Sequence, residues 1–167
     1  MSPQDPPVDP TRPQPVDPTR PPVHIPLHDF LALDFRPPAE QDEVAEVRMP
    51  VAANAFGFTR NLHGGAIATL VDVACALAAT RSSGHDPYVD SLVTADMHVR
   101  YLGRPHTDTV VAKARVVRQG KTLIVIECRV VDEEEHLVAV ADFSMMKVAL
   151  RRPLDGGEAD VSGAPEL

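Results

Sequence analysis

The residues whose types and spacing could do chemistry lie in one stretch: His63-Gly64-Gly65 and, nine residues after the histidine, Asp72. Asp72 is the one charged residue in an apolar run from Ala66 to Thr80. A carboxylate in such a run is costly unless it is paired, hydrogen-bonded or facing a cavity, and desolvation disfavours its ionised form. A residue retained against that cost is a site candidate. Glycine weakens a helix interior, but at a first turn it lets a ligand approach backbone N–H groups that have no partner within the helix. An oxygen that carries or is gaining negative charge would be stabilised at Gly64 and Gly65.

The element that must position these groups is a helix from Gly64 to about Thr80. Arg81-Ser82-Ser83-Gly84 ends it, with a cation near its negative pole and a glycine beyond. Ile67, Leu70, Val71, Val73, Leu77 and the alanines point in all directions around a 3.6-residue turn, the pattern of a helix buried on all sides. Ahead of it, Val51 to Leu62 reads as a binding loop with the turn formers Asn54, Gly57 and Asn61. Further upstream, Asp29 is placed to cap one or two turns that bury Phe30, Leu31 and Leu33, and Glu43 to Met49 alternates as a strand that Pro50 ends.

The rest of the chain is strand. Asp90 to Leu102 alternates, with Leu92, Thr94, Asp96, His98 and Arg100 on one face and Val93, Ala95, Met97, Val99 and Tyr101 on the other. Thr109 to Arg118 and Thr122 to Val131 flank the turn Gln119-Gly120-Lys121 as an antiparallel hairpin. His136 to Ala149 is the last strand. The order of strand, long helix and four strands predicts an α+β domain, a mostly antiparallel five-stranded sheet wrapped around one long buried helix, with a short N-terminal helix. Such a sheet leaves edges, and pairing two subunits edge to edge hides them, so at least a homodimer is expected.

Composition bounds the alternatives. The 167 residues fit one domain with tails. Residues 1–22 repeat Pro-Val-Asp-Pro-Thr-Arg-Pro and read as a disordered proline-rich leader, 23–150 as the domain, and 151–167 as a disordered C-terminal tail. A formal charge of −8, with acids and bases interspersed, argues against a nucleic-acid footprint. Cys75 and Cys128 sit where small buried hydrophobes sit. No basic start precedes an apolar run, and Asp72 interrupts the longest apolar stretch, so a soluble, cytoplasmic protein without signal peptide or membrane span is expected. The seven histidines show no metal-ligand spacing. His98 and His106 receive no role.

Leu62-His63-Gly64-Gly65, then Asp72, and later Val117-Arg118-Gln119-Gly120-Lys121-Thr122-Leu123 resemble the hotdog-fold acyl-CoA thioesterases of the phenylacetate-degradation (PaaI-like) type. The likeness covers roughly Glu43 to Leu150. It implies hydrolysis of short- or medium-chain or aromatic acyl-CoA, with no separate cofactor because CoA is part of the substrate, by a homodimer that pairs further into a homotetramer. In that reading the thioester carbonyl lies over the N–H of Gly64, helped by Gly65. Asp72 of the partner subunit then acts as general base or as nucleophile. His63 positions loop and carbonyl, and Thr94 holds the water or the carboxylate. Nine residues of helix turn through about 900° and rise about 13 Å, so the helix start and the Asp72 side chain face opposite ways and cannot meet in one chain.

The resemblance also assigns Arg118, Gly120, Lys121 and Thr122, with Tyr101 and Lys147, to the CoA moiety; basic groups and turn amides suit its phosphates. One departure stands out. Similar proteins place Asn six and Gly three residues before the histidine, where this chain has Gly57 and Arg60, while Asn54 and Gly57 keep the Asn-x-x-Gly spacing three residues early. Two other readings share the fold: a binding protein that holds acyl-CoA without turnover, and a hydratase or dehydratase, which would need histidine where Leu77 stands.

Overall fold

The computed structural model describes residues 25–36, 44–85 and 90–149. The proline-rich repeat, the C-terminal tail and the start of the strand expected from Glu43 lie outside the described residues. The chain runs α1 (Pro26–Phe30), β1 (Asp34–Arg36), β2 (Ala45–Pro50), a single 3-10 turn (Ala53–Ala55), α2 (Gly64–Ser82), β3 (Asp90–Tyr101), β4 (Thr109–Gln119), β5 (Leu123–Asp132) and β6 (Leu137–Ala149).

All the strands join one antiparallel sheet in the order β1-β2-β4-β5-β6-β3. The sheet wraps α2, whose Leu70, Val71, Ala74 and Cys75 are fully buried against Val47, Val110, Ile126 and Val138. By length and composition α2 could cross a membrane, but here its apolar side chains form the centre of this core. Cys75 and Cys128 are free, buried thiols, and the neighbouring Cys128 together with burial pushes the Cys75 thiol far above the ordinary range.

Among the described residues the sheet has six strands rather than the five expected. The sixth, β1, has three exposed residues paired to β2 with Phe35 opposite Val47; with no buried face it carries no alternation to read. Neither α1 nor α2 meets its expected form in full. Ile25 rather than Asp29 is the N-cap of α1, and Asp29 lies inside the helix; Pro26 starts it because proline fits a first helical position whose N–H has no partner anyway. Leu31 enters the core, whereas Phe30 stays 61% exposed. The sheet covers α2 on one side only and leaves open a face that runs through Gly65, Thr69, Asp72, Ala76 and Thr80.

The largest departure is in β3. A bulge between Thr94 and Asp96 shifts the register against β6, so that Thr94 pairs with Met145 and Tyr101 with Ala139. Thr94 and Tyr101 are seven residues apart and would alternate to opposite faces of a regular strand, but the extra residue returns both to the face that meets α2.

The start of β3 is fastened by a buried acid. Asp90 is 7% exposed; it accepts from Lys147 Nζ at 2.9 Å and lies 2.5 Å from His85 Nδ1. Burial alone would raise its carboxyl, but the bonds and charges of Lys147 and His85 outweigh that and hold it below the ordinary 3.8. A depressed carboxyl contributes stability at pH values above the unfolded-chain value and loses it as pH falls through the folded-state value. Asp90→Asn should therefore lower Tm at pH 7. The gap to wild type should close as pH is taken below the ordinary carboxylate range, and thermal melts between pH 7 and pH 3 check both points.

Candidate active site

The start of α2 is built by the loop before it. Gly57 N–H donates to the Asn61 carbonyl at 2.7 Å, Phe56 pairs with Leu62, and His63 N–H donates to the Ala55 carbonyl at 2.8 Å. Asn61 also donates from its side chain to Thr59 Oγ1 at 2.9 Å. His63 is the N-cap, with Nδ1 accepting from Gly65 N–H at 2.8 Å. In the neutral ring that acceptor role puts the proton on Nε2. The His63 carbonyl takes Ala66 N–H at 2.9 Å. Among the described residues, Gly64 N–H alone of these first amides has no acceptor. It opens on the positive end of a helix of 19 residues, where developing negative charge is stabilised.

The second glycine is there for its neighbour. A Cβ on Gly65 would lie 2.9 Å from His63 Nδ1, whereas one on Gly64 would make ordinary contact with Tyr101 at 3.5 Å. Gly65→Ala should push the His63 ring off the helix start and cost about 1 kcal/mol, the usual worth of an N-cap. Chemical denaturation of the variant beside Gly64→Ala, which should be near neutral, tests this.

Asp72 lies on the open face of α2 and is only partly buried. Thr94 Oγ1 donates to Asp72 Oδ1 at 2.8 Å, so the hydroxyl fixes one oxygen of the carboxylate. At the far end of the same strand Tyr101 OH donates to the Gly64 carbonyl at 3.1 Å. Thus β3 carries both groups, Asp72 through Thr94 near its start and Gly64 through Tyr101 at its finish. The expectation of opposite faces does not hold, since Gly65 and Asp72 lie on one open face of α2; what separates the two groups is about 12 Å of rise along the helix. They do not meet in one chain.

The other candidate residues fall into two places. Arg118, Gly120, Lys121 and Thr122 form the exposed hairpin tip between β4 and β5, where Gly120 N–H donates to the Leu123 carbonyl at 2.8 Å. A Cβ on Gly120 would sit 2.8 Å from that same carbonyl oxygen, which explains the glycine. Lys147 joins the tip through its N–H to the Thr122 carbonyl at 2.9 Å, with its ammonium on Asp90. Tyr101 does not join them: on β6 its partner Ala139 is seven residues from Met146, the partner of Leu123, about 23 Å of strand. In the loop, the Asn54 side-chain amide donates to the Phe30 carbonyl and so ties α1 to the start of α2. Sequence reasoning missed that tie, as it missed Lys147 and His85 on Asp90; contacts between distant segments leave no local signal.

Residues 60–139 match the family model of the thioesterase superfamily. PA5202 of Pseudomonas aeruginosa, a solved structure, is 30% identical and superposes with a TM-score of 0.65 over 72% of this chain and 92% of its own. The chain belongs to the thioesterase superfamily. Its hotdog arrangement is shared with the PaaI protein of the Escherichia coli phenylacetic acid degradation operon (23% identity, TM-score 0.64, 74% of this chain and 85% of that one). BH2602 of Bacillus halodurans, whose structure holds CoA, is 30% identical with a TM-score of 0.57 over 62% of this chain and 66% of its own. A curated relative from Halobacterium salinarum, the esterase candidate VNG_1336C, is 39% identical over 92 residues. That match spans 55% of this chain and 57% of the relative. Both catalytic candidates of this thioesterase-superfamily chain, Gly64 and Asp72, lie inside residues 60–139, the segment that matches the family model.

Proposed function

We propose that this protein hydrolyses acyl-CoA thioesters to free acid and CoA in sites shared between two subunits. The observation that carries the reading is the placing of the two half-sites toward opposite ends of β3, which among the described residues is an edge strand of the sheet. Identical edges paired about a two-fold axis run antiparallel. A two-fold near the middle of β3 therefore brings the Thr94 end of one chain, with Asp72, beside the Tyr101 end of its partner, with Gly64. Val93 (42% exposed), Met97 (37%) and Tyr101 (53%) lie along that strand, an apolar edge that such pairing would cover. The same two-fold carries the hairpin tip and Lys147 toward the partner's helix start, which reunites Arg118, Gly120, Lys121 and Thr122 with Tyr101 for CoA.

In this site the carbonyl oxygen rests on Gly64 N–H. Asp72, held by Thr94, takes a proton from a water whose oxygen attacks the carbonyl carbon, or attacks that carbon itself to form an anhydride that water then hydrolyses; in both routes the C–S bond breaks and CoA leaves as the thiolate, which takes up a proton. The chemistry calls for no metal and no separate cofactor. CoA in the related BH2602 structure supports the substrate class. A homodimer paired into a homotetramer, and a cytoplasmic location, belong to the same reading. Steady-state hydrolysis of short, medium, long-chain and aromatic acyl-CoAs tests it; no turnover of any of them, with saturable CoA binding, would leave a ligand-binding hotdog protein.

A further inference from the structure

Asp90 is a buried acid that the proposed chemistry does not use, and both of its oxygens are engaged. Oδ1 lies 2.5 Å from His85 Nδ1, and Oδ2 accepts from Lys147 Nζ at 2.9 Å. His85 follows the end of α2, Asp90 opens β3 and Lys147 lies near the end of β6. Two of these elements reach the candidate site. Four residues along β3, Thr94 holds Asp72, and the N–H of Lys147 donates to the Thr122 carbonyl in the hairpin tip at 2.9 Å. The side chains of Asp90 and His85 are 9% and 13% exposed, whereas that of Lys147 is 32% exposed. The lysine is therefore the member that reaches solvent, on a flexible four-carbon stem. Among the described residues, Lys147 and His85 are the charged groups that act on Asp90. Asp86 and Tyr88, the next titratable residues along the chain, lie outside the described residues.

A buried carboxylate with one cationic partner cannot release it without leaving a bare charge in a poorly solvated place. Asp90 has a second partner. A neutral His85 that donates from Nδ1 still has Nε2 to take a proton, and that proton replaces the positive charge that a departing lysine removes. We infer that Asp90 and His85 are positioning residues that hold Lys147 ready for a phosphate of the ligand: its ammonium passes from Asp90 to the phosphate, and one proton from solvent enters His85 at Nε2. The inference rests on the reading of the protein as an acyl-CoA enzyme. Charge at Asp90 is the same before and after, and the ligand gains the lysine. Binding therefore takes up a proton, and affinity rises as pH falls.

3′-Dephospho-CoA is the probe, because its diphosphate keeps the same charge from pH 8 to pH 6 and takes up no proton itself. Calorimetric titration of the full chain near pH 7, in two buffers of different protonation enthalpy, should show uptake of up to one proton per site. From pH 8 to pH 6 the affinity should tighten, by up to about tenfold per pH unit where a whole proton is taken up. His85→Gln keeps a donor for Asp90 and should bind without the uptake. Lys147→Met should bind more weakly, also without uptake, and thermal melts show that each variant is folded. Binding by wild type without proton uptake, or wild-type uptake in either folded variant, would overturn the inference. Hydrolysis is scored separately: turnover and binding without uptake reject the lysine exchange alone, uptake without turnover rejects the thioesterase reading alone, and no binding with no turnover rejects both.

Discussion

Asp72→Asn should lower kcat by about 10²- to 10⁴-fold, the range over which a positioned acid or base acts, while the affinity for a thioether analogue changes only a few-fold. Asparagine keeps the shape of the side chain and can still accept from Thr94 Oγ1, which reaches Asp72 Oδ1 at 2.8 Å. The partly buried position also tolerates a neutral amide without a new desolvation cost. The substitution therefore removes the ability to take a proton or to attack carbon, and little else. Parallel measurement of kcat and of analogue binding separates the enzyme from a protein that only holds acyl-CoA. A kcat within a few-fold of wild type would remove Asp72 from the chemistry. Thr94→Val should act through the carboxylate it orients and give a smaller loss in kcat with the same analogue affinity.

The sequence made Asp72 and the glycine pair conspicuous because each contradicts its surroundings: a charge in an apolar run, and flexible residues at a helix start. The strands from Thr109 onward were legible for a related reason, since burial on one face leaves alternation behind. Legibility fails where geometry depends on a partner segment. The bulge at Ala95 adds one residue without changing the composition of β3, yet it decides that Thr94 and Tyr101 share a face. A helix whose apolar residues point in all directions reads as buried on every side, but a single sheet covers one side of it, and the face with Thr69, Asp72 and Ala76 is left open. The tie from Asn54 to Phe30 spans 24 residues. It gives that asparagine an interaction that neither its spacing to His63 nor its place in a turn-rich loop suggests.

Gly64→Pro should lower kcat by about 10²- to 10³-fold, equivalent to about 3 kcal/mol of transition-state stabilisation, the usual consequence of losing one oxyanion donor. The position suits the experiment. Gly64 is the first residue of α2, where proline is favoured because the ring matches the helical φ and the missing N–H has no partner inside the helix. His63 before it has φ −66° and ψ 134°, the extended conformation that a following proline prefers. A Cβ at residue 64 meets the Tyr101 ring at an ordinary 3.5 Å. The substitution thus deletes one hydrogen-bond donor from a helix start that otherwise stands, and the thermal melt should stay close to that of wild type. Gly64→Ala keeps the donor and should keep most of the rate. If the proline variant folds and hydrolyses acyl-CoA at the wild-type rate, the oxyanion does not lie on this amide; if proline fails where alanine succeeds, the rate difference measures what one backbone N–H contributes.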